Sequence, residues 1–122
     1  MPIKTTISKT FHFDAAHRLT HVPPEHKCHH MHGHTFRVLV VVGGNKRDEG
    51  WIVDFALVGD AVNAVLGQLD HKVLNDIDGL SMPTVENIAA YILLKLKSPL
   101  PGLISVSVSE GDRNTATASF EG

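Results

Sequence analysis

The order in which two hydrophobic periods follow one another constrains this chain more than any other feature. Period two comes first, a helical period follows, and period two returns. Ile3, Ile7, Phe11 and Phe13 share odd parity, whereas Lys4, Thr6, Ser8, Thr10 and His12 share even parity. Side chains alternate across a strand, so this stretch predicts a half-buried strand with His17 just past its end. Residues 20–31 carry prolines and histidines and few apolar residues, and predict a loop. Thr35 to Val42 is β-branched and apolar and predicts a second strand. Gly43 to Gly50 reads as a turn region, with Trp51-Ile52-Val53 as a short extended piece beyond it.

Asp54 then suits the N-cap of a helix whose apolar residues are Phe55, Val58, Val62, Val65, Leu66 and Leu69. Thr84 suits the cap of a second helix, with Val85, Ile88, Ala89, Ile92, Leu93 and Leu96 on its face. Ser98-Pro99-Leu100-Pro101-Gly102 ends it. Ile104, Val106 and Val108 alternate with serines, and Ala116, Ala118 and Phe120 continue the pattern after the turn at residues 111–114. The order ββααββ predicts an α+β fold: a four-stranded antiparallel sheet with two helices on one face. Such a sheet has two open edges, which favours a homo-oligomer. At 122 residues the chain suits a single domain over 1–122.

Composition narrows the function classes. Charged residues make up 20% of the chain, the formal net charge is −2, and no basic stripe marks a nucleic-acid surface. The longest aliphatic run, Val38 to Val42, is too short to span a bilayer, and the first residues lack the apolar core of a signal peptide. One cysteine allows no internal disulfide. The expectation is a cytoplasmic protein that binds neither membrane nor nucleic acid.

Nine histidines are many for this length, and most crowd between His12 and His34. His32-Gly33-His34 opens a strand pattern, which puts two imidazoles on one face, and the glycine between them leaves the approach clear. A third imidazole, His17, lies at the end of the neighbouring strand. Zinc with three protein ligands keeps a position open for water or substrate, the catalytic arrangement. His12, His21, His26, His29 and His30 compete for the ligand role on spacing alone. Cys28 stands among His26, Lys27, His29 and His30, and adjacent cations favour a thiolate. It suits a nucleophile or general base, or else a fourth ligand closing a non-catalytic zinc-binding module. Asp70 can orient the ring of His71 as an acid/base pair near a helix C-terminus. Glu110 occupies the apolar register of its strand, where a carboxylate needs a partner such as two parallel N–H donors, unless the strand has already ended in water.

These residues together resemble the 6-pyruvoyl-tetrahydropterin synthase family. The resemblance rests on Phe13-Asp14-Ala15-Ala16-His17-Arg18-Leu19, Cys28-His29-His30-Met31-His32-Gly33-His34, Trp51-Ile52-Val53-Asp54-Phe55, Leu69-Asp70-His71, Leu74-Asn75, Pro83-Thr84-Val85-Glu86-Asn87 and Glu110. The spacing of Cys28 from His32 and His34 is similar to that of the bacterial carboxy-type enzymes of queuosine (7-deazaguanine) biosynthesis. His29, His30 and the turn Gly111-Asp112-Arg113-Asn114 depart from the familiar pattern.

The resemblance implies the tunnelling fold, an oligomeric barrel in a homohexamer of two trimers, with active sites at subunit interfaces. It implies Zn2+ on His17, His32 and His34, a catalytic Cys28 with Asp70 and His71 as acid/base partners, and Glu110 as the pterin anchor. The implied reaction is that of a zinc-dependent lyase. It converts 7,8-dihydroneopterin triphosphate to 6-carboxy-5,6,7,8-tetrahydropterin, acetaldehyde and triphosphate. Lys27, Arg18 or Lys72 would meet the triphosphate. A pyruvoyl-type or folate-branch enzyme with the same site is the alternative within the family.

Overall fold

Alternation builds the sheet and carries it further than the apolar residues alone suggest. In a computed structural model describing residues 2–122, β1 spans Thr5–His17 and β2 spans His32–Gly44. Strand β3 spans Leu103–Glu110, and β4 spans Asn114–Ser119. The four form one antiparallel sheet in the order β1-β2-β3-β4. Helices α1 (Phe55–Leu66) and α2 (Val85–Leu96) lie on one face of it. Phe11, Phe13, Phe36, Val38, Val40, Val42, Val106 and Val108 from the strands meet Val58, Val62, Leu66, Ile88, Ile92 and Leu96 from the helices in one core. The opposite face is polar, with Ser107 paired to Thr117 and Ser109 to Thr115 through their hydroxyls.

Both helix caps form as the sequence predicts. The Asp54 side chain accepts from Ala56 N, and the Thr84 side chain accepts from Asn87 N. Asn87 also donates from Nδ2 to the Met82 carbonyl at 2.8 Å, so both Thr84 and Asn87 fasten the segment that leads into α2.

Several boundaries differ from expectation. Strand β1 does not include Ile3, which is exposed, and it runs through His17 rather than stopping short of it. Strand β2 starts at His32, because its ladder with β1 continues to the His17–His32 pair, and it absorbs Gly43 and Gly44. Trp51–Val53 is not a strand: a turn closed by Arg47 N on Trp51 O holds it, and only Ile52 is buried. Phe55 is exposed, and Leu69 is buried from the turn after α1 rather than from the helix. Ile104 leaves the core register because a bulge between Val41 and Val42 sets Leu103, not Ile104, opposite Val42. Phe120 lies beyond β4 and is exposed. Among the described residues no helix is long and apolar enough to cross a membrane.

Candidate metal and catalytic site

Three imidazoles meet where β1 and β2 begin to part from the core. Opposed residues of an antiparallel ladder share a face, and His17 pairs with His32 while Ala15 pairs with His34. His17, His32 and His34 therefore all point to the helix side, His34 one step and the His17–His32 pair two steps beyond Phe13 and Phe36. Their rings pack edge to face with centroids 4.6 Å, 5.2 Å and 4.8 Å apart. One nitrogen from each lies within 4.8 Å of the others, a donor set able to hold a metal ion.

The hydrogen bonds around the rings decide which nitrogens are free. Nδ1 of His17 donates to the Pro83 carbonyl at 2.7 Å, and Nδ1 of His32 donates to the His30 carbonyl at 2.7 Å. A carbonyl only accepts, so both rings carry a proton on Nδ1, and the neutral form of each ring then has its lone pair on Nε2. That is the support a metal-ligating histidine usually has. His17 is 1% exposed, and its Nε2 is buried without any hydrogen-bond partner. Burial holds its pKa below the ordinary imidazole value of 6.5, against the opposing pull of the Pro83 carbonyl, and the neighbouring His32 and His34 push it the same way as burial. A buried nitrogen kept neutral, with its lone pair unused, fits a cation.

The chain around His17 is pinned from outside. Asn75 Oδ1 accepts from Arg18 N, and Asn75 Nδ2 donates to Arg18 O, each at 2.9 Å. The Thr84 and Asn87 bonds hold the Pro83 segment on the other side.

Strand β3 continues through Glu110, which pairs with Phe36 and so faces the same side as the imidazoles. Its Oε2 lies 3.8 Å from His17 Nε2 and 3.7 Å from His34 Nε2, and the side chain is 27% exposed. Glu110 thus does not meet water past the end of a strand. Cys28 is half-buried on a short 3-10 turn, Lys27–His29, and is not one of the convergent donors. It lines a cavity of about 560 Å³ with Lys27, His32, Gly33, His34, Glu110, Gly111 and Asn114. That volume suits a small organic ligand.

Asp70 and His71 sit elsewhere, at the outer edge of β1. Asp70 Oδ1 accepts from Asp14 N at 3.0 Å, His71 N donates to Asp14 O at 2.6 Å, and Ala16 N donates to Lys72 O at 3.0 Å. His71 adopts φ 61°, a left-handed conformation uncommon for a non-glycine residue. Asp70 Oδ2 lies 2.9 Å from His71 Nδ1, so the expected orientation of the ring is present. The Asp14 backbone N–H and then the His71 side chain hold the Asp70 pKa below its ordinary 3.8. His71 does not stand at the end of the helix as expected, because α1 ends at Leu66 and a turn follows it. His71 lines a second cavity with Asp14, Gly33, His34, Thr35 and Lys72, whereas Arg18 lines a third with His29 and His30. Lys27, Arg18 and Lys72 therefore do not converge within one chain.

The competing histidines are engaged or turned away. His21 Nδ1 meets Met82 Sδ, His26 accepts from Cys28 N, and His29 bonds the Val22 carbonyl. Gly33 points to the polar face, away from the imidazoles. A Cβ there would meet only the Ala15 carbonyl, at an ordinary 3.7 Å, so its role in clearing the approach is not visible within one chain. The Pro83 and His30 carbonyls escaped sequence reasoning because every residue type carries a carbonyl. Asp14, which binds the Asp70–His71 pair through its backbone, escaped it for the same reason.

A family model described as 6-pyruvoyl tetrahydropterin synthase matches residues 6–121. A protein of Synechocystis named 6-carboxy-5,6,7,8-tetrahydropterin synthase is 41% identical over 111 residues, covering 85% of this chain and 84% of its own. A Pyrococcus furiosus protein named dihydroneopterin monophosphate aldolase is 38% identical over 103 residues, covering 82% and 84%. The solved structure of Caenorhabditis elegans 6-pyruvoyl tetrahydropterin synthase superposes with a TM-score of 0.87 at 28% identity, covering 99% and 98% of the two chains.

Proposed function

Because the chain belongs to the 6-pyruvoyl tetrahydropterin synthase family, we propose that it is a cytoplasmic zinc-dependent lyase of queuosine biosynthesis. It converts 7,8-dihydroneopterin triphosphate and water to 6-carboxy-5,6,7,8-tetrahydropterin, acetaldehyde and triphosphate. The observation that carries this reading is the buried, unpartnered Nε2 of His17, set beside a nitrogen each of His32 and His34, two residues that line the Cys28 cavity.

His17, His32 and His34 would hold the ion, and their Nδ1 bonds to the Pro83 and His30 carbonyls orient two of the rings. A zinc ion bound there supplies a Lewis acid that acidifies the hydroxyls and adjacent carbons of the substrate side chain. Glu110 accepts the 2-amino and N3–H donors of the pterin, two parallel N–H groups that match a carboxylate. Cys28 moves a proton on one side of the substrate, and His71, oriented by Asp70, moves one on the other.

In a single chain Cys28 and His71 line different cavities. The Cys28 cavity opens toward Glu110 on β3 and Asn114 on β4, whereas Asp70 and His71 lie beyond β1 at the opposite edge of the sheet. Pairing the β4 edge of one copy with the β1 edge of the next would bring Asp70 and His71 of that copy to the Cys28 cavity. A closed ring of copies removes both open edges, in keeping with a barrel trimer doubled into a homohexamer.

The test is incubation of the zinc-loaded protein with 7,8-dihydroneopterin triphosphate and mass identification of the pterin. The 6-carboxy product with acetaldehyde supports the reading, and a pyruvoyl product or no turnover overturns it. A second reading follows from the similarity to the named aldolase: side-chain cleavage of dihydroneopterin monophosphate. Release of a 6-hydroxymethyl pterin from the monophosphate alone would select it. Cys28→Ala separates either enzyme from a non-catalytic zinc module. An enzyme keeps its metal and loses turnover, whereas a module closed by Cys28 loses metal affinity.

A further inference from the structure

Two backbone bonds fix Cys28 in the irregular segment between β1 and β2. Its carbonyl accepts from Leu19 N at 2.7 Å. Its own N–H donates to Nδ1 of His26 at 3.0 Å. The second bond depends on a side chain. An imidazole accepts only through a nitrogen that bears no hydrogen, so this bond requires Nδ1 of His26 to be free of its proton.

His26 occupies the N-cap position of the 3-10 turn, with the extended φ −75° and ψ 134° of a cap, and His29 N closes the turn on its carbonyl at 3.0 Å. Ser, Thr, Asp and Asn usually fill that position, so a histidine performing it is a specific choice of acceptor. His26 is not among the convergent donors. Its interaction runs to the backbone of Cys28, which lines the cavity with His32, His34 and Glu110.

We propose that His26 is a positioning residue: its side-chain cap sets the Cys28 backbone, and through it aims the thiol at the substrate cavity. The proposal rests on the reading of Cys28 as a proton-transfer group. It predicts that the acceptor, not the imidazole as such, matters. Asn offers an acceptor of similar reach and Ala offers none.

The experiment compares His26→Ala and His26→Asn with the unaltered protein in the zinc-loaded state. It measures kcat and KM for 7,8-dihydroneopterin triphosphate, bound zinc, and the rate at which iodoacetamide alkylates Cys28. Cys28 is the sole cysteine, so the alkylation rate reports on it alone. His26→Ala should lower kcat about fivefold, the scale of a lost N-cap, with KM and zinc content unchanged. Its alkylation should speed up by a similar factor as the half-buried thiol loosens. His26→Asn should restore both rates. The proposal is overturned if His26→Ala matches the unaltered protein in both rates, or if His26→Asn is as impaired as His26→Ala. Full turnover by Cys28→Ala would instead sink the Cys28 assignment, and the alkylation rates would then decide the cap by themselves.

Discussion

His17 is the residue on which the site turns. An unsatisfied polar nitrogen in the interior costs on the order of 1–3 kcal/mol, and a cation at His17 Nε2 removes that cost. Metal removal should therefore be visible as a loss of stability. At free zinc about 100 times its Kd, the holo protein should exceed the chelator-treated protein by about 2.7 kcal/mol, read as a reversible rise in Tm. An equal Tm in both states would speak against the metal site. Asp70 carries a prediction of its own. Its folded pKa lies below 3.8, so between the two values the unfolded chain binds more protons than the folded one. Its stabilising contribution is present above pH 3.8 and is lost as the pH falls through the folded value. The carboxyl carbon of Asp70 should titrate below 3.8 by NMR, and His71→Ala should move that midpoint upward.

At the scale of elements, the cap of α2 also serves the site. Thr84 and Asn87 hold residues 82–84, and the Pro83 carbonyl within that segment takes the proton of His17 Nδ1. Thr84→Ala should cost about 1 kcal/mol of stability by chemical denaturation. It should also weaken zinc affinity roughly tenfold or more, the usual effect of losing support behind a metal-ligating histidine. A stability loss with unchanged zinc affinity would mean that the cap supports the helix alone. The bulge near Val41 shows a different coupling between element and register. It turns Ile104 out of the core and over Gly43, where a Cβ would lie 2.6 Å from Ile104 Cδ1. Gly102, at φ 87°, closes the same corner: a Cβ there would sit 2.4 Å from the Gly43 carbonyl oxygen.

At the scale of the whole molecule, the distribution of groups across the sheet is the main consequence. The Cys28–Glu110 cavity runs from His32 and His34 on β2 to Glu110 on β3 and Asn114 on β4, and the Asp70–His71 pair binds the outer edge of β1. The segment through Val73 already occupies β1 at Asp14 and Ala16, leaving the stretch toward Thr5 open for another strand. Assembly and catalysis should thus be inseparable. Cys28→Ala and His71→Ala should each be inactive alone. Mixed, dissociated and reassembled in equal amounts, they should regain up to about a quarter of the original activity, because random pairing joins two intact halves in that fraction of sites. No recovery in mixed oligomers of confirmed composition would place the whole site in one chain.

Periodicity and caps by themselves determine much of this protein. The ββααββ order, both N-caps and most of the strand and helix core follow from local rules, because alternation and helical spacing are properties of neighbours along the chain, whereas Leu74, Leu80 and Leu100 enter the core from turns that carry no period. The three imidazoles were legible for the same reason, since His32 and His34 share a strand face and His17 extends the next strand. Tertiary structure decided what depends on partners distant in sequence. It selected three histidines from the eight crowded near β1 and β2, through ladder register and the Pro83 carbonyl 66 residues away. It turned Ile104 outward through a bulge that no single strand encodes. It also put Cys28 and His71 in two different cavities that meet at Gly33 and His34, because which strands border a cavity is set by strand order, which closes only when the whole chain has folded.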